Sequence, residues 1–260
     1  MTITGVAAGV PYTALPPADV GPAPLVLTWH MLDAPRTNAA FAAALPMAGV
    51  PAWRVHLGLP MCGDRMVNGS MDAIMGLAGD DALRAFADGL SGEAASEFPA
   101  ALAALRAEFA IVDGPVGIVG GSLGGLVALR VLTSGVPVFA AALVNPLIRA
   151  RRLVELISGH TKVPYPWDQT SEALADDLDF VRRADELAVP LLVVSGELDD
   201  PPFREDAAAL ASAAPRAELL TVPGLAHPLA EEPGLEPAPQ LPLAKQVDDA
   251  LTSWFTRHLP

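Results

Sequence analysis

The strongest constraint on the fold of this 260-residue chain is a glycine-rich junction between a strand pattern and a helix pattern. Residues 116–119 form a short β-branched run that predicts a buried strand, and residues 123–132 carry apolar residues at helical spacing. Ser122 lies between them in a Gly-x-Ser-x-Gly pattern that leaves no room for a loop. So sharp a turn predicts a sparsely populated backbone conformation at Ser122, and neighbouring chain so close that Gly120 and Gly124 must lack side chains.

The position of this serine has a chemical consequence. Its hydroxyl is expected at the carboxyl end of a strand and at the start of a helix, where N–H groups favour developing negative charge. The alternative interpretation is a glycine-rich turn with an idle serine. The strand and helix patterns on both sides of the turn favour a functional Ser122.

Strands alternate with helices along the rest of the chain, which predicts an α/β fold with a mostly parallel, twisted sheet flanked by helices. Predicted strands cover residues 25–30, 52–57, 136–144, 189–195 and 217–222, and residues 3–17 predict edge strands or a hairpin. Predicted helices cover residues 36–45, 80–89, 93–109, 171–184, 203–213 and 243–258, whereas residues 61–79 fit no pattern. We expect one domain over residues 1–260, with residues 147–186 as a small lid inserted after the sixth strand.

Composition and charge argue against several kinds of partner, cross-link and membrane segment. The formal net charge of −14 opposes binding to nucleic acid or to an anionic membrane. Cys62 is the only cysteine, which excludes an internal disulfide and a thiolate metal cluster. The first residues lack the basic and long apolar segments of a signal peptide, and no apolar run reaches the roughly 20 residues that span a bilayer. We therefore expect a cytoplasmic protein.

A serine hydroxyl is a poor nucleophile at neutral pH, so it needs a base and a third group that orients the base. The candidates for the base are His30, His56, His160, His227 and His258. His227 lies in a turn-rich loop directly after the last predicted strand, at the same sheet edge as Ser122. The alternative for His227 is a solvated loop histidine.

The orienting acid is predicted in the turn after the strand at residues 189–195, which carries Glu197, Asp199 and Asp200. Asp199 is the preferred candidate and Asp200 the alternative, whereas Glu197 lies closer to the strand and suits a role in bracing the loop. Without such a role, charged residues in a turn before a helix ordinarily contact solvent or cap the N-terminus of the helix.

Serine, acid and histidine in this chain order resemble the α/β-hydrolase superfamily over nearly the whole length of the chain. The resemblance rests on residues 120–124, 196–199, 224–227 and 25–30. It implies a serine hydrolase in which Ser122 attacks a carbonyl, His227 transfers the proton and Asp199 orients the ring. No metal or organic cofactor is implied.

The resemblance also implies an oxyanion hole made of two backbone N–H groups. One belongs to Leu123, the residue after the serine. The family often has His-Gly where this chain has His30 and Met31, so the second donor is expected at Leu32, with Met31 as the alternative. His30, Met31 and Trp167 are expected to contact the substrate.

The leading hypothesis is a carboxylesterase acting on a small or medium acyl substrate beneath the lid, with residues 61–79 and 165–167 contributing apolar walls. A thioesterase or a peptidase of the same fold is the alternative among enzymes, and the six residues 120–125 are also similar to the turns of peptidase-like and dienelactone-hydrolase-like members. An alternative of another class is a non-catalytic binding protein that retains the fold.

Overall fold

The computed structural model describes residues 2–19 and 21–260; Met1 and Val20, which the predicted domain includes, lie outside the described residues. Within the described residues, eight strands form one sheet in the order β1-β2-β4-β3-β5-β6-β7-β8. The strands are β1 Ile3–Ala7, β2 Val10–Leu15, β3 Leu25–Trp29, β4 Trp53–Leu57, β5 Val116–Gly121, β6 Val138–Val144, β7 Leu191–Gly196 and β8 Ala217–Val222. Strands β1 and β2 form the expected hairpin, β2 runs antiparallel to β4, and the remaining neighbours are parallel.

Helices connect the parallel strands, which confirms the predicted α/β class. They are α1 Asn38–Ala44, α2 Asp72–Ala82, α3 Ser91–Glu108, α4 Leu123–Leu132, α5 Ala150–Thr161, α6 Gln169–Asp177, α7 Pro201–Ala213 and α8 Pro242–His258. Leu83–Leu90 is a π-helical stretch, and Gly63–Arg65, Val67–Gly69 and Ala184–Glu186 are short 3₁₀ turns. Within residues 2–19 and 21–260, no helix is long and apolar enough to cross a membrane.

The central strands are buried on both faces, because successive side chains point to opposite sides of the sheet and helices cover each side. In β3, Leu27 and Trp29 pack on the face covered by α3, α4 and α7. Val26 packs on the other face with Phe41 of α1 and Phe255 of α8. This double burial explains why the central strands are almost continuously apolar.

Helix α6 starts earlier and ends earlier than the predicted helix at residues 171–184. The Asp168 carboxylate accepts the backbone N–H of Ser171, and the Ser171 hydroxyl accepts the backbone N–H of Asp168, so this capping box fixes the start. Beyond the helix, the Asp179 carboxylate accepts two backbone N–H groups and turns the chain. Local side-chain hydrogen bonds thus outweigh the apolar spacing used for the prediction.

The helices predicted at residues 80–89 and 93–109 also differ from the structure. Helix α2 begins at Asp72, and the π-helical stretch continues directly into α3. The break falls at Asp81, which has a φ of −157° and accepts the backbone N–H of Arg84 through its carboxylate. A polar residue that caps the following helical turn therefore marks the boundary between α2 and the π-helical stretch.

The turn after β5 has the predicted strain and close contacts. Ser122 has a φ of 48° and a ψ of −116°. A Cβ atom added to Gly120 would lie 2.2 Å from the carbonyl oxygen of Gly124, and one added to Gly124 would lie 2.4 Å from the carbonyl oxygen of Trp29. Because these neighbours are backbone atoms, the predicted need for glycine at both positions is confirmed.

We expect Gly124→Ala to lower the free energy of unfolding by about 3 kcal/mol, because the new methyl group overlaps the backbone of β3. The matched control is Gly76→Ala in α2, where an added Cβ meets no atom within 4 Å. The control should raise stability by about 0.5–1 kcal/mol because alanine favours helix. Thermal unfolding of both variants checks this, and equal melting temperatures would contradict the contact argument.

Candidate active site

Polar residues follow four adjacent strands at the same edge of the sheet. Ser122 follows β5, Asn145 follows β6, Asp199 lies in the turn after β7 and His227 lies in the loop after β8. These strands are parallel, so their carboxyl ends meet at one edge. The fold therefore places these residues close together although they are far apart along the chain.

Three of the predicted residues form a continuous chain of hydrogen bonds. His227 Nδ1 lies 2.8 Å from Asp199 Oδ1, and His227 Nε2 lies 2.8 Å from Ser122 Oγ. A carboxylate only accepts hydrogen bonds, so Nδ1 carries the proton and Nε2 is free to accept the serine hydroxyl. Asp200, the alternative acid, instead donates its backbone N–H to Asp199 Oδ1 at 2.7 Å.

The surroundings of His227 favour its charged form. Burial by itself lowers the pKa of His227, but the hydrogen bond and negative charge of Asp199 outweigh it, with smaller contributions from Asp33 and Asp200. The net effect raises the pKa of His227 above its ordinary value of 6.5. The Phe203 ring packs against the imidazole with the ring centres 5.1 Å apart. This arrangement stabilises the imidazolium that forms when the ring accepts a proton.

Asn145 connects the loops that carry the acid and the histidine, and its role was not predicted. Its Nδ2 donates to the carbonyl oxygens of Ala226 and His227 at 2.9 and 3.0 Å, and its Oδ1 accepts the backbone N–H of Gly196 at 2.7 Å. All three polar positions of this buried amide are used. Its φ of 44° suits asparagine, which tolerates left-handed backbone. The sequence signal that could have identified Asn145 is a polar residue at the end of a strand, at the sheet edge expected to hold Ser122.

Glu197 braces the histidine loop, as the sequence indicated. Its carboxylate accepts the backbone N–H of Gly224 at 2.9 Å. The chain also passes very close here, since a Cβ atom added to Gly196 would lie 2.4 Å from the carbonyl oxygen of Leu225. The turn after β7 and the loop after β8 are therefore held together by both a hydrogen bond and backbone contact.

His30 does not reach the cavity beside Ser122, which corrects its prediction as a substrate contact. Its Nδ1 lies 2.7 Å from the carbonyl oxygen of Met31, and its Nε2 accepts the backbone N–H of Leu59 at 3.1 Å. Both ring nitrogens are thus occupied, and burial lowers the pKa of His30 to about 4. The ring is neutral, with its proton on Nδ1, and it holds the Met31 carbonyl in place.

The other two predicted substrate contacts also lie away from this cavity. The Met31 side chain is fully buried in the core, where it packs beneath Gly121. Trp167 packs against the Tyr165 ring, with the ring centres 4.7 Å apart, and its own ring lies under the Arg151 guanidinium. Apolar packing and a cation–π contact account for these two side chains.

Ser122 and His227 line a cavity of about 290 Å³. The other lining residues are Leu32, Asp33, Leu123, Leu147, Leu153, Leu156, His160, Asp200, Phe203 and Pro228. Four of these belong to residues 147–186, the predicted lid. The cavity adjoins a depression of about 470 Å³, with which it shares Leu156 and His160. The site is therefore mostly apolar, with a few polar groups around the serine.

Arg36 joins the loop after β3 to the segment that follows His227. Its Nη1 donates to the carbonyl oxygen of Leu32 at 2.7 Å, its Nε donates to the carbonyl oxygen of Pro233 at 3.0 Å, and its Nη2 lies 2.7 Å from the Glu232 carboxylate. One guanidinium thus fixes two loops that lie about 200 positions apart in the sequence.

The side chains that could bind a metal ion are scattered over the part of the chain that the structure describes. Over residues 2–19 and 21–260, no set of three or more histidine, cysteine, aspartate or glutamate side chains is arranged to hold a metal ion. Cys62 is buried, and burial raises the pKa of its thiol to about 12. This cysteine is therefore a neutral thiol at physiological pH.

Similar folds occur among solved structures. The protein TT1662 from Thermus thermophilus is 20% identical, with a TM-score of 0.66 and 98% of each chain covered. A puromycin-hydrolyzing peptidase of Mycobacterium tuberculosis is 18% identical, with a TM-score of 0.68 over 99% of this chain and 39% of that one. A cold-adapted esterase from an Arctic intertidal metagenomic library is 19% identical, with a TM-score of 0.61 over 100% and 93%. At such identities these likenesses show the fold alone.

Family membership is shown by the sequence itself. A comparison with curated proteins finds no significant match. The model of the prolyl oligopeptidase family, however, matches residues 76–233, which is more than half of the chain and includes Ser122, Asp199 and His227. The chain therefore belongs to the prolyl oligopeptidase family and is a serine hydrolase of the α/β-hydrolase superfamily.

Proposed function

We propose that the protein hydrolyses a carboxylic ester through an acyl-enzyme on Ser122, with His227 as the general base and Asp199 as the orienting acid. The observation that carries the proposal is the unbroken hydrogen-bond chain from Ser122 through His227 to Asp199, beside a cavity that can hold an acyl group. This geometry supplies both the base and the orienting group that a serine nucleophile needs.

The reaction follows from the direction of these hydrogen bonds. Ser122 Oγ attacks the carbonyl carbon while its proton moves to His227 Nε2, and Asp199 stabilises the imidazolium. His227 then returns the proton to the leaving group, which departs as the acyl-enzyme forms. Water, activated by His227 in the same way, attacks the acyl-enzyme and releases the acid. The strained backbone of Ser122 holds Oγ toward the cavity throughout.

Two backbone N–H groups are suited to stabilise the oxyanion. Leu123 is the first residue of α4, where N–H groups lack an intrahelical acceptor. Leu32 is favoured over Met31 as the second donor because Leu32 lines the cavity. The Leu32 N–H and the Met31 carbonyl belong to one planar peptide and point in opposite directions. His30, by holding that carbonyl, fixes the direction of the Leu32 N–H, so it positions the oxyanion hole rather than binding substrate.

Residues 147–186 are proposed as a lid within a single domain of residues 1–260. Leu153 and Leu156 of α5 line the cavity together with Ser122, and His160 lines both the cavity and the adjoining depression. A volume of about 290 Å³ suits a small or medium acyl group. Apolar residues of α5, rather than Trp167, thus form the proposed acyl wall.

Peptide or amide hydrolysis is the second candidate, because the matching family is a peptidase family. Amides and esters share the tetrahedral intermediate and the oxyanion hole, so the same residues serve both reactions. Thioester hydrolysis is a further alternative. A non-catalytic binding protein is disfavoured, since a binding function does not require Ser122, His227 and Asp199 to be aligned.

Labelling with a fluorophosphonate probe tests the nucleophile. The wild-type protein should react at Ser122, because His227 removes the serine proton, and Ser122→Ala should not react. Ser134→Ala is the matched control, since its hydroxyl donates to the Val131 carbonyl at the far end of α4 and takes no part in the site. Equal labelling of the wild type and Ser122→Ala would refute the proposed mechanism.

Substitution of the acids tests the orienting role. Asp199→Asn should lower kcat by roughly 10³–10⁴-fold, because the amide favours the wrong imidazole tautomer. The pKa of His227, followed by NMR titration, should also fall, since the main group that raises it is lost. The acid limb of kcat/KM then moves to lower pH. Asp200→Asn should change both quantities much less, and the reverse order would assign the role to Asp200.

A comparison of leaving groups tests the substrate class. We expect the largest rate enhancement over the uncatalysed reaction for p-nitrophenyl esters, followed by acyl-CoA thioesters and aminoacyl p-nitroanilides. Each wild-type rate is divided by the rate of Ser122→Ala on the same substrate. This division removes the differences in intrinsic reactivity between the three substrate classes. A greater normalised enhancement for the anilides would favour the peptidase candidate over the esterase.

A further inference from the structure

The loop after β3 places a carboxylate beside the nucleophile. Asp33 Oδ2 lies 3.5 Å from His227 Nε2, the same nitrogen that contacts Ser122 Oγ. The Asp33 side chain is 50% exposed and lines the cavity together with Ser122. Because one nitrogen contacts both groups, the carboxylate lies within a few ångströms of the position that a scissile carbonyl would occupy.

Among the described residues, the Asp33 carboxylate differs from those of Asp199 and Glu197 in having no hydrogen-bond donor of its own apart from His227. Asp199 is bonded to His227 and to a backbone N–H, and Glu197 is bonded to the backbone N–H of Gly224. Among the residues that the structure describes, no lysine, arginine or backbone N–H contacts the Asp33 carboxylate. Arg36, the nearest arginine along the chain, is occupied by backbone carbonyls and by Glu232.

An unneutralised carboxylate at this position opposes the proposed reaction for some substrates. Negative charge develops on the carbonyl oxygen next to Leu32, the residue that precedes Asp33, and like charges at this range repel strongly in a partly buried site. An anionic acyl group would be repelled already on binding. A cation carried by the substrate would remove both penalties and would itself gain an ion pair.

We infer that Asp33 selects acyl substrates that carry a positively charged group next to the scissile carbonyl, as an aminoacyl ester with a free α-amino group does. This inference rests on the proposed function and specifies its substrate class. The ammonium of such a substrate is two bonds from the carbonyl carbon, which keeps it within reach of a carboxylate beside Ser122. The Asp200 carboxylate, which also lines the cavity, adds to the negative potential.

The selectivity is tested with L-phenylalanine methyl ester and methyl 3-phenylpropionate, which differ only in the amino group, at a pH where that group is protonated. The ratio of kcat/KM for the charged ester to that for the neutral ester should fall at least about tenfold in Asp33→Asn. Asp113→Asn is the matched control: it removes the same charge from an exposed position before β5, at the opposite edge of the sheet, and should leave the ratio unchanged.

Two outcomes overturn the inference. An equal loss for both esters in Asp33→Asn would mean that the carboxylate serves the imidazole rather than the substrate, and unchanged kcat/KM values for both esters would mean that it does neither. Calorimetric binding of the two esters to Ser122→Ala, with and without Asp33→Asn, is independent of turnover. A preference for the charged ester that depends on Asp33 there supports the inference even if the acyl-enzyme proposal fails, and no such preference refutes it.

Discussion

Close backbone contact at the turn after β5 is the constraint on which the rest of the site depends. The chain at Gly120 and Gly124 leaves no space for a Cβ atom, and Gly124 lies against the carbonyl of Trp29 at the end of β3. The start of α4 is therefore held at a fixed distance from the loop after β3. This contact sets where Ser122 lies relative to Leu32 and Asp33, which belong to that loop.

Hydrogen bonds between loops complete the arrangement. Asn145 bonds the backbone of the histidine loop and that of Gly196 at the end of β7, and His30 and Arg36 each bond the backbone of the loop after β3. Each of these side chains reaches backbone groups of a different segment, and the amide of Asn145 and the ring of His30 are fully satisfied. Satisfied buried networks of this kind fix a single geometry, because any displacement leaves a polar group without a partner.

The sequence predicted those features of the molecule that depend on local sequence patterns. The alternation of strands and helices predicted the sheet, and the glycine spacing around Ser122 predicted the strained turn. Chain order then indicated His227 and Asp199 as candidates at the same edge, and the structure places both in hydrogen-bond contact with their expected neighbours.

What the sequence could not predict depends on contacts between distant segments. The family resemblance implies a substrate contact for His30, yet its ring is held by Leu59, on another loop. Trp167 packs on Tyr165 and Arg151 instead of the cavity, and Asn145 acts through the loop after β8. No local pattern records such pairings, since periodicity reports which face a residue occupies and not which neighbour it meets.

The two sides of the cavity are built from different kinds of interaction. Directional hydrogen bonds hold the aligned polar side chains, whereas Leu153 and Leu156 of α5 contribute only apolar surface, which has no preferred orientation. Substitutions on α5 can therefore reshape the proposed acyl-binding wall without disturbing Ser122, His227 and Asp199. Because the two kinds of interaction are separate, substrate preference can change between homologues of this protein while the proposed reaction stays the same.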